Sequence, residues 1–213
     1  MDTNINWLNE TKIKRTIESL EKNNILGYYA KDKQDLINKI KEIINTKDTV
    51  ACGGSITLFE TGVIDFIREN DYNFLDRYDK NLTPQDLKQM YRESFSAQCY
   101  LTSTNAITEE GELYNVDGNG NRVAAMLYGP DKVIVICGVN KIVKDLDEAI
   151  KRNKYISAPA NAKRLSTKTP CKSVGYCMDC SSPDRICCEY TVIKRQRIKN
   201  RMHVIILNEI LGY

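Results

Sequence analysis

Lys132-Val133-Ile134-Val135-Ile136-Cys137-Gly138-Val139 is the stretch that decides the fold. Its centre, Val133 to Ile136, is a continuous β-branched run with no polar alternation. A strand with one wet face alternates apolar and polar residues, whereas an unbroken apolar run suits a strand covered on both faces, as in a parallel sheet between helices. Outward from it, His203-Val204-Ile205-Ile206-Leu207 reads as a second buried strand, and Thr49-Val50-Ala51-Cys52 as a shorter one running into Gly53-Gly54-Ser55. Further strand candidates are the apolar run Ile25 to Ala30 and the segment Asn73 to Asp76.

Between these lie segments of helical period. Asn4 to Lys22 spaces Ile5, Leu8, Ile13, Ile17 and Leu20 as an amphipathic helix, and Asp35 to Ile44, Glu60 to Glu69 and Asp145 to Asn153 follow suit. Thr83-Pro84-Gln85-Asp86 is a helix start, with Thr83 as N-cap and proline at the first position. Tyr100 to Thr104 and Glu112 to Val116 flank a Glu110-Gly111 turn and are expected to pair as a β-hairpin. A glycine-rich loop at Asp117 to Arg122 leads into a short apolar helix ending near Gly129-Pro130. Strands alternating with helices predict an α/β fold with a mainly parallel sheet flanked by helices.

The 213 residues fit one domain over 1–213, with an N-terminal helix in 1–24 and a cysteine-rich loop at 171–188 inserted before the last strand. Lys plus Arg number 31 against 28 Asp plus Glu, a formal net charge of +3, which gives no reason to expect nucleic acid as a partner. The basic stretch Lys194, Arg195, Arg197, Lys199 and Arg201 lacks interleaved aromatics and reads as a solvated edge strand or a face for an acidic protein. No stretch approaches the roughly 18 apolar residues of a membrane span, and the N-terminus has no signal-peptide pattern. A cytoplasmic setting without membrane insertion is therefore expected, where thiols stay reduced.

That setting makes the eight cysteines informative. Cys52, Cys99 and Cys137 sit in or beside apolar runs and read as small core residues. The other five form Cys171-x5-Cys177-x2-Cys180-x6-Cys187-Cys188 among Lys172, Ser173, Gly175, Asp179, Ser181 and Asp184, which does not read as core. Four thiolates from one loop suffice for tetrahedral zinc or one iron–sulfur cluster. Cys177 and Cys180 supply the chelating pair, with Cys171 and Cys187 completing it and Cys188 as the alternative. The run departs from the ferredoxin signature, so spacing leaves zinc and a 4Fe–4S cluster both open. A single histidine, His203, opens the last strand, is expected to make a local hydrogen bond, and argues against a multi-histidine site.

Three further stretches resemble the lactate-utilisation (LUD-domain, YkgG-like) family. They are Gly53-Gly54-Ser55-Ile56-Thr57-Leu58-Phe59-Glu60-Thr61-Gly62, Thr102-Ser103-Thr104-Asn105-Ala106-Ile107-Thr108-Glu109-Glu110-Gly111, and Asn115-Val116-Asp117-Gly118-Asn119-Gly120-Asn121-Arg122-Val123-Ala124-Ala125. Tyr128 to Ile136 continues the match, and the similarity runs from about Asn4 to Gly212. The resemblance implies a fold like the sugar-phosphate isomerase and CoA-transferase superfamily. It also implies a link to oxidation of lactate or a related small hydroxy acid beside iron–sulfur partner subunits. Similar chains carry Ser-Pro-Asp-Arg-Ile-Cys without a second cysteine, which favours Cys187 over Cys188. Other members lack the cysteines, so this chain resembles a cysteine-bearing branch, and the redox character of the partners leans the metal toward iron–sulfur.

On this reading a small organic anion is held by glycine-rich loops. Gly53 and Gly54 let backbone N–H groups approach an anion, and Ser55 and Thr57 add hydroxyls; the plainer reading is a tight strand–helix turn with Ser55 as N-cap. Asp117, Gly118, Asn119, Gly120, Asn121 and Arg122 form a second loop in which Arg122 is placed to pair with an anion, although Asp-Gly and Asn-Gly also make ordinary turns. Asn105 joins by analogy with the family. Glu60 is the candidate acid–base or nucleophilic carboxylate, a role related CoA-transferases give to a glutamate. The alternatives to a lactate-linked subunit are a stand-alone isomerase or CoA-transferase-like enzyme using Glu60, and a non-catalytic metabolite-binding protein.

Overall fold

The β-branched run is the middle of a six-stranded, fully parallel sheet in the computed structural model, which describes residues 2–213. Position 1, the first residue of the expected N-terminal helical segment, lies outside the described residues. The strands are β1 (Leu26–Ala30), β2 (Thr49–Cys52), β3 (Asn73–Leu75), β4 (Cys99–Thr102), β7 (Lys132–Gly138) and β10 (Met202–Leu207). Their spatial order is β1-β10-β7-β4-β2-β3. A second, four-stranded sheet in the order β8-β5-β6-β9 comprises β5 (Ala106–Thr108), β6 (Leu113–Asp117), β8 (Ile142–Val143) and β9 (Glu189–Ile193).

Alternation along β7 shows why an unbroken run was needed. Val133, Val135 and Cys137 face one core with Ile13 and Leu20 of α1 (Thr3–Lys22), Ala125 and Met126 of α6 (Asn121–Leu127), and Ile107 and Leu113 of the second sheet. Ile134 and Ile136 face the other core with α2 (Lys33–Ile43), α3 (Ile56–Glu60) and α4 (Val63–Glu69). With apolar cover on both faces, period-two patterning disappears. Cys52, Cys99 and Cys137 are buried in these cores, and burial pushes the Cys52 thiol up to about 12 and the Cys137 thiol to about 11.

Several local expectations hold to within a residue or two. Thr83 caps α5 (Pro84–Glu93) in a capping box with Asp86. The helical stretch expected at Glu60 to Glu69 is instead two helices, α3 and α4, separated at Gly62, whose φ of 74° is left-handed. The expected hairpin has a different first arm. Residues 99–102 belong to the parallel sheet, and Ala106–Thr108 is the strand that pairs with β6 through the Gly111 turn, φ 82°. The basic stretch is not an edge strand either, because β9 ends at Ile193. Within it Arg201 is buried and donates to the carbonyls of Ala125, Met126 and Pro130, capping the end of α6. His203 makes its expected local bond, to the Asn200 carbonyl at 3.0 Å, and also meets the distant Tyr28 Oη at 3.1 Å; burial lowers its pKa.

Candidate functional site at the carboxyl edge of the sheet

The chain leaves β2 outward to β3, then returns to β4 on the other side of β2 and continues to β7 and β10. Neighbouring strands whose continuations diverge leave a crevice beyond their carboxyl ends, the usual ligand position in open α/β sheets. The loops that start there are Gly53-Gly54-Ser55 after β2 and Ser103-Thr104-Asn105 after β4. A cleft of about 240 Å³ opens between them, lined also by Thr57, Arg77, Asp117, Arg122, Lys141, Arg164 and Tyr213.

Most of the sequence-predicted anion-site residues meet here. Gly54, Ser55, Thr57, Asn105, Asp117, Gly118, Asn119, Asn121 and Arg122 all line the cleft, while Gly53 and Gly120 do not. Gly53 is required by crowding, since a Cβ there would lie 2.9 Å from Arg122 Cγ and 3.0 Å from Thr102 Oγ1. Ser55 precedes α3 without capping it through its side chain, and its N–H donates to Tyr78 Oη at 3.1 Å.

Arg122 has a different duty from the one its sequence position suggests. Its Nε donates to Asp117 Oδ1, one terminal nitrogen to the Ser103 carbonyl and Asn115 Oδ1, and the other to Asn105 Oδ1 and the Val116 carbonyl. All five N–H groups are thus engaged by the protein. Asp117 in turn accepts the backbone N–H groups of Arg122 and Val123. The pair, buried and 2.6 Å apart, ties the ends of β4 and β6 to the start of α6. It builds the wall of the cleft; its charges largely cancel.

Glu60 does not line the cleft. Its exposed carboxylate accepts the Gly212 N–H at 2.6 Å and, with Asn140, fastens the segment 208–213 across the sheet edge. Gly212 and Tyr213 then form one side of the cleft.

Three cations escaped the sequence reading. Lys141 follows β7 in the short turn Val139–Lys141, is 3 % exposed, and donates from Nζ to Ser103 Oγ (2.9 Å) and Thr57 Oγ1 (3.2 Å). Burial, reinforced by Arg152 and Arg122, lowers its pKa from 10.5 to about 7, although Cys137 and Glu60 act in the opposite sense. Arg77 donates to Tyr91 Oη at 2.7 Å and stacks on the Tyr78 and Tyr91 rings. Arg164, on α8 (Ala158–Arg164), is bonded to Asn161. Behind the cleft, a π-helical turn at Asn153–Ser157 follows α7 (Leu146–Arg152) and carries Ser157, which lines it; such turns recur at functional sites. The one legible clue to Lys141 was its place, three residues past the central strand, on the edge where such sheets keep ligands.

The cysteine segment forms the next wall. The Cys188 N–H donates to the Asp117 carbonyl at 2.8 Å, and a Cβ on Gly118 would lie 3.3 Å from Ile186 Cα. Cys171 opens the short helix α9 (Cys171–Val174). Cys177, Cys171 and Cys188 are near enough to Cys187 for their charges to reinforce the burial that pushes its thiol up to about 11. The Asp179 N–H points at Cys177 Sγ, 3.4 Å away. Yet among the described residues no three His, Cys, Asp or Glu side chains are gathered as a metal site. The loop is instead closed by Arg185, which donates to the Cys180 and Cys187 carbonyls, Asp179 and Tyr190. As folded, the thiols do not fit a zinc ion or an iron–sulfur cluster without rearrangement of this loop.

Taken together, the molecule is a single-domain α/β protein with a mainly parallel sheet and a cleft at its carboxyl edge. A family model described as the LUD domain matches residues 13–207, and the chain belongs to the LUD-domain family. The fold is also similar to the crystal structure of a DUF162 family protein from Deinococcus radiodurans, with a TM-score of 0.50 and 12% sequence identity, covering 93% of this chain and 98% of that one. No curated protein sequence matches the chain. The family makes this a lactate-utilisation-type protein. No helix among the described residues is long and apolar enough to cross a membrane.

Proposed function

We propose that the chain binds a small organic carboxylate in the cleft and acts as a subunit linked to the oxidation of lactate or a related small hydroxy acid. The observation that carries this is the imbalance of charge in the cleft. Arg77 and Arg164 line it as cations, joined by Lys141, which burial leaves only partly charged near neutral pH, while among the described residues its one acidic side chain, Asp117, is already held by Arg122. A carboxylate entering there meets two guanidinium groups bonded to a hydroxyl and an amide, which leaves charge-assisted donors to receive it. The volume, about 240 Å³, is below the roughly 300 Å³ at which drug-sized pockets begin, and it favours an acid of a few carbons.

On this reading the electrons are handled by iron–sulfur partner subunits. The test is calorimetric titration with lactate, pyruvate and acetate, on wild type and on Arg164→Gln and Arg77→Gln. Saturable binding of the two C3 acids, weakened at least tenfold in the variants, is the expected result. Equal affinity in wild type and both variants overturns the assignment.

A further inference from the structure

Among the described residues Lys141 is the only amine lining the cleft, and its setting goes beyond holding charge. Its hydrogen bonds run to two hydroxyls, Ser103 Oγ and Thr57 Oγ1, and not to a carboxylate that would fix it as an ammonium. An ammonium carries three donors, of which these hydroxyls take two, which leaves one direction for a group bound in the cleft that Lys141 lines. In the neutral form that direction holds a lone pair. Desolvated amines in such pockets are the ones that attack carbonyl carbon. Each neighbouring hydroxyl is both donor and acceptor, so either can carry a proton between the amine and an oxygen bound beside it.

Resting on the reading of the cleft as a small-carboxylate site, we propose that Lys141 captures a 2-oxo acid there as a Schiff base. The acid's carboxylate lies toward Arg77 and Arg164, and its C2 carbonyl toward Nζ. The Nζ lone pair forms a bond to C2, giving a carbinolamine; the two amine protons pass to the former carbonyl oxygen, which leaves as water when the C–O bond breaks. The product is an imine between Lys141 and C2, with no change of oxidation state. A 2-oxo acid is also what two-electron oxidation of a 2-hydroxy acid yields, so the capture places this chain at the product end of such a reaction. Burial also makes the amine available, since a pKa near 7 leaves a large neutral fraction at neutral pH.

The experiment is reductive trapping on the full chain, using pyruvate with sodium cyanoborohydride, read by intact mass and peptide mapping, with a calorimetric pyruvate titration alongside. One reduced pyruvyl group per chain on Lys141, saturable in pyruvate and forming faster as pH rises through 7, is expected; Lys141→Arg should lose it, with circular dichroism as the check on folding. Peptide mapping of the wild type reads the site even if that variant does not fold. Pyruvate that binds without labelling Lys141, or labels surface lysines equally, overturns the imine and leaves the anion site standing. Neither binding nor labelling overturns both.

Discussion

Replacing Lys141 by methionine should make the protein more stable, and the size of the gain follows from the burial of the amine. The folded-state pKa lies below its ordinary value, falling from 10.5 to about 7. Between those limits the unfolded chain binds the proton and the folded chain does not, so stability is lost as pH falls through the window and restored as pH rises. At 1.36 kcal/mol per pKa unit, the cost near neutral pH is about 4–5 kcal/mol. Methionine of similar length removes that cost but leaves Ser103 Oγ and Thr57 Oγ1 without their partner, at roughly 1 kcal/mol or more each. The net gain expected at pH 7 is about 2 kcal/mol, or roughly 4–8 °C in Tm for a chain of this size. Urea unfolding followed by circular dichroism at pH 7 and pH 9.5 reads both quantities. The advantage of Lys141→Met should fall by about 3 kcal/mol between the two and so reverse to a deficit of about 1 kcal/mol at pH 9.5, because folding releases the lysine's proton and that release costs less as pH rises. A variant less stable than wild type at pH 7, or stability curves that run parallel in pH, would refute the argument.

Breaking the buried pair has the opposite sign: Asp117→Ala strands the enclosed Arg122 guanidinium and should cost about 3–5 kcal/mol in urea unfolding, whereas a loss under 1 kcal/mol would mean water reaches Arg122. His203, whose pKa burial lowers, should contribute stability above its ordinary value of 6.5 that is lost as pH falls below it; His203→Gln should flatten the acid limb of the stability curve, and an unchanged limb would assign acid sensitivity elsewhere. Because Arg185 rather than a metal closes the cysteine loop as folded, chelation with EDTA or phenanthroline should leave Tm unchanged, while a chelator-induced drop together with stoichiometric zinc or iron in the anaerobically purified protein would show that the loop rearranges to bind metal.

The sequence by itself determined the layers of this protein. An unbroken Val133 to Ile136 run demands apolar cover on both sides, and Thr83-Pro84 demands a helix start, whatever else the chain does. It also brought the Gly53 and Asp117 loops into one reading, because glycine spacing after a strand is a local backbone property. Partner strands are not local. Residues 99–102 are apolar enough for either sheet, and only the vacancy between β2 and β7 drew them into the parallel one, leaving Ala106–Thr108 to make the hairpin. Side-chain roles in the cleft were decided in the same way. Arg122 looks like an anion ligand until five acceptors from β4, β6 and their loops close around it. Lys141 looks like any surface lysine until the end of the central strand encloses it beside Ser103 and Thr57. The physical reason is that burial and hydrogen-bond partners come from segments distant in sequence, while period, caps and turns come from neighbours.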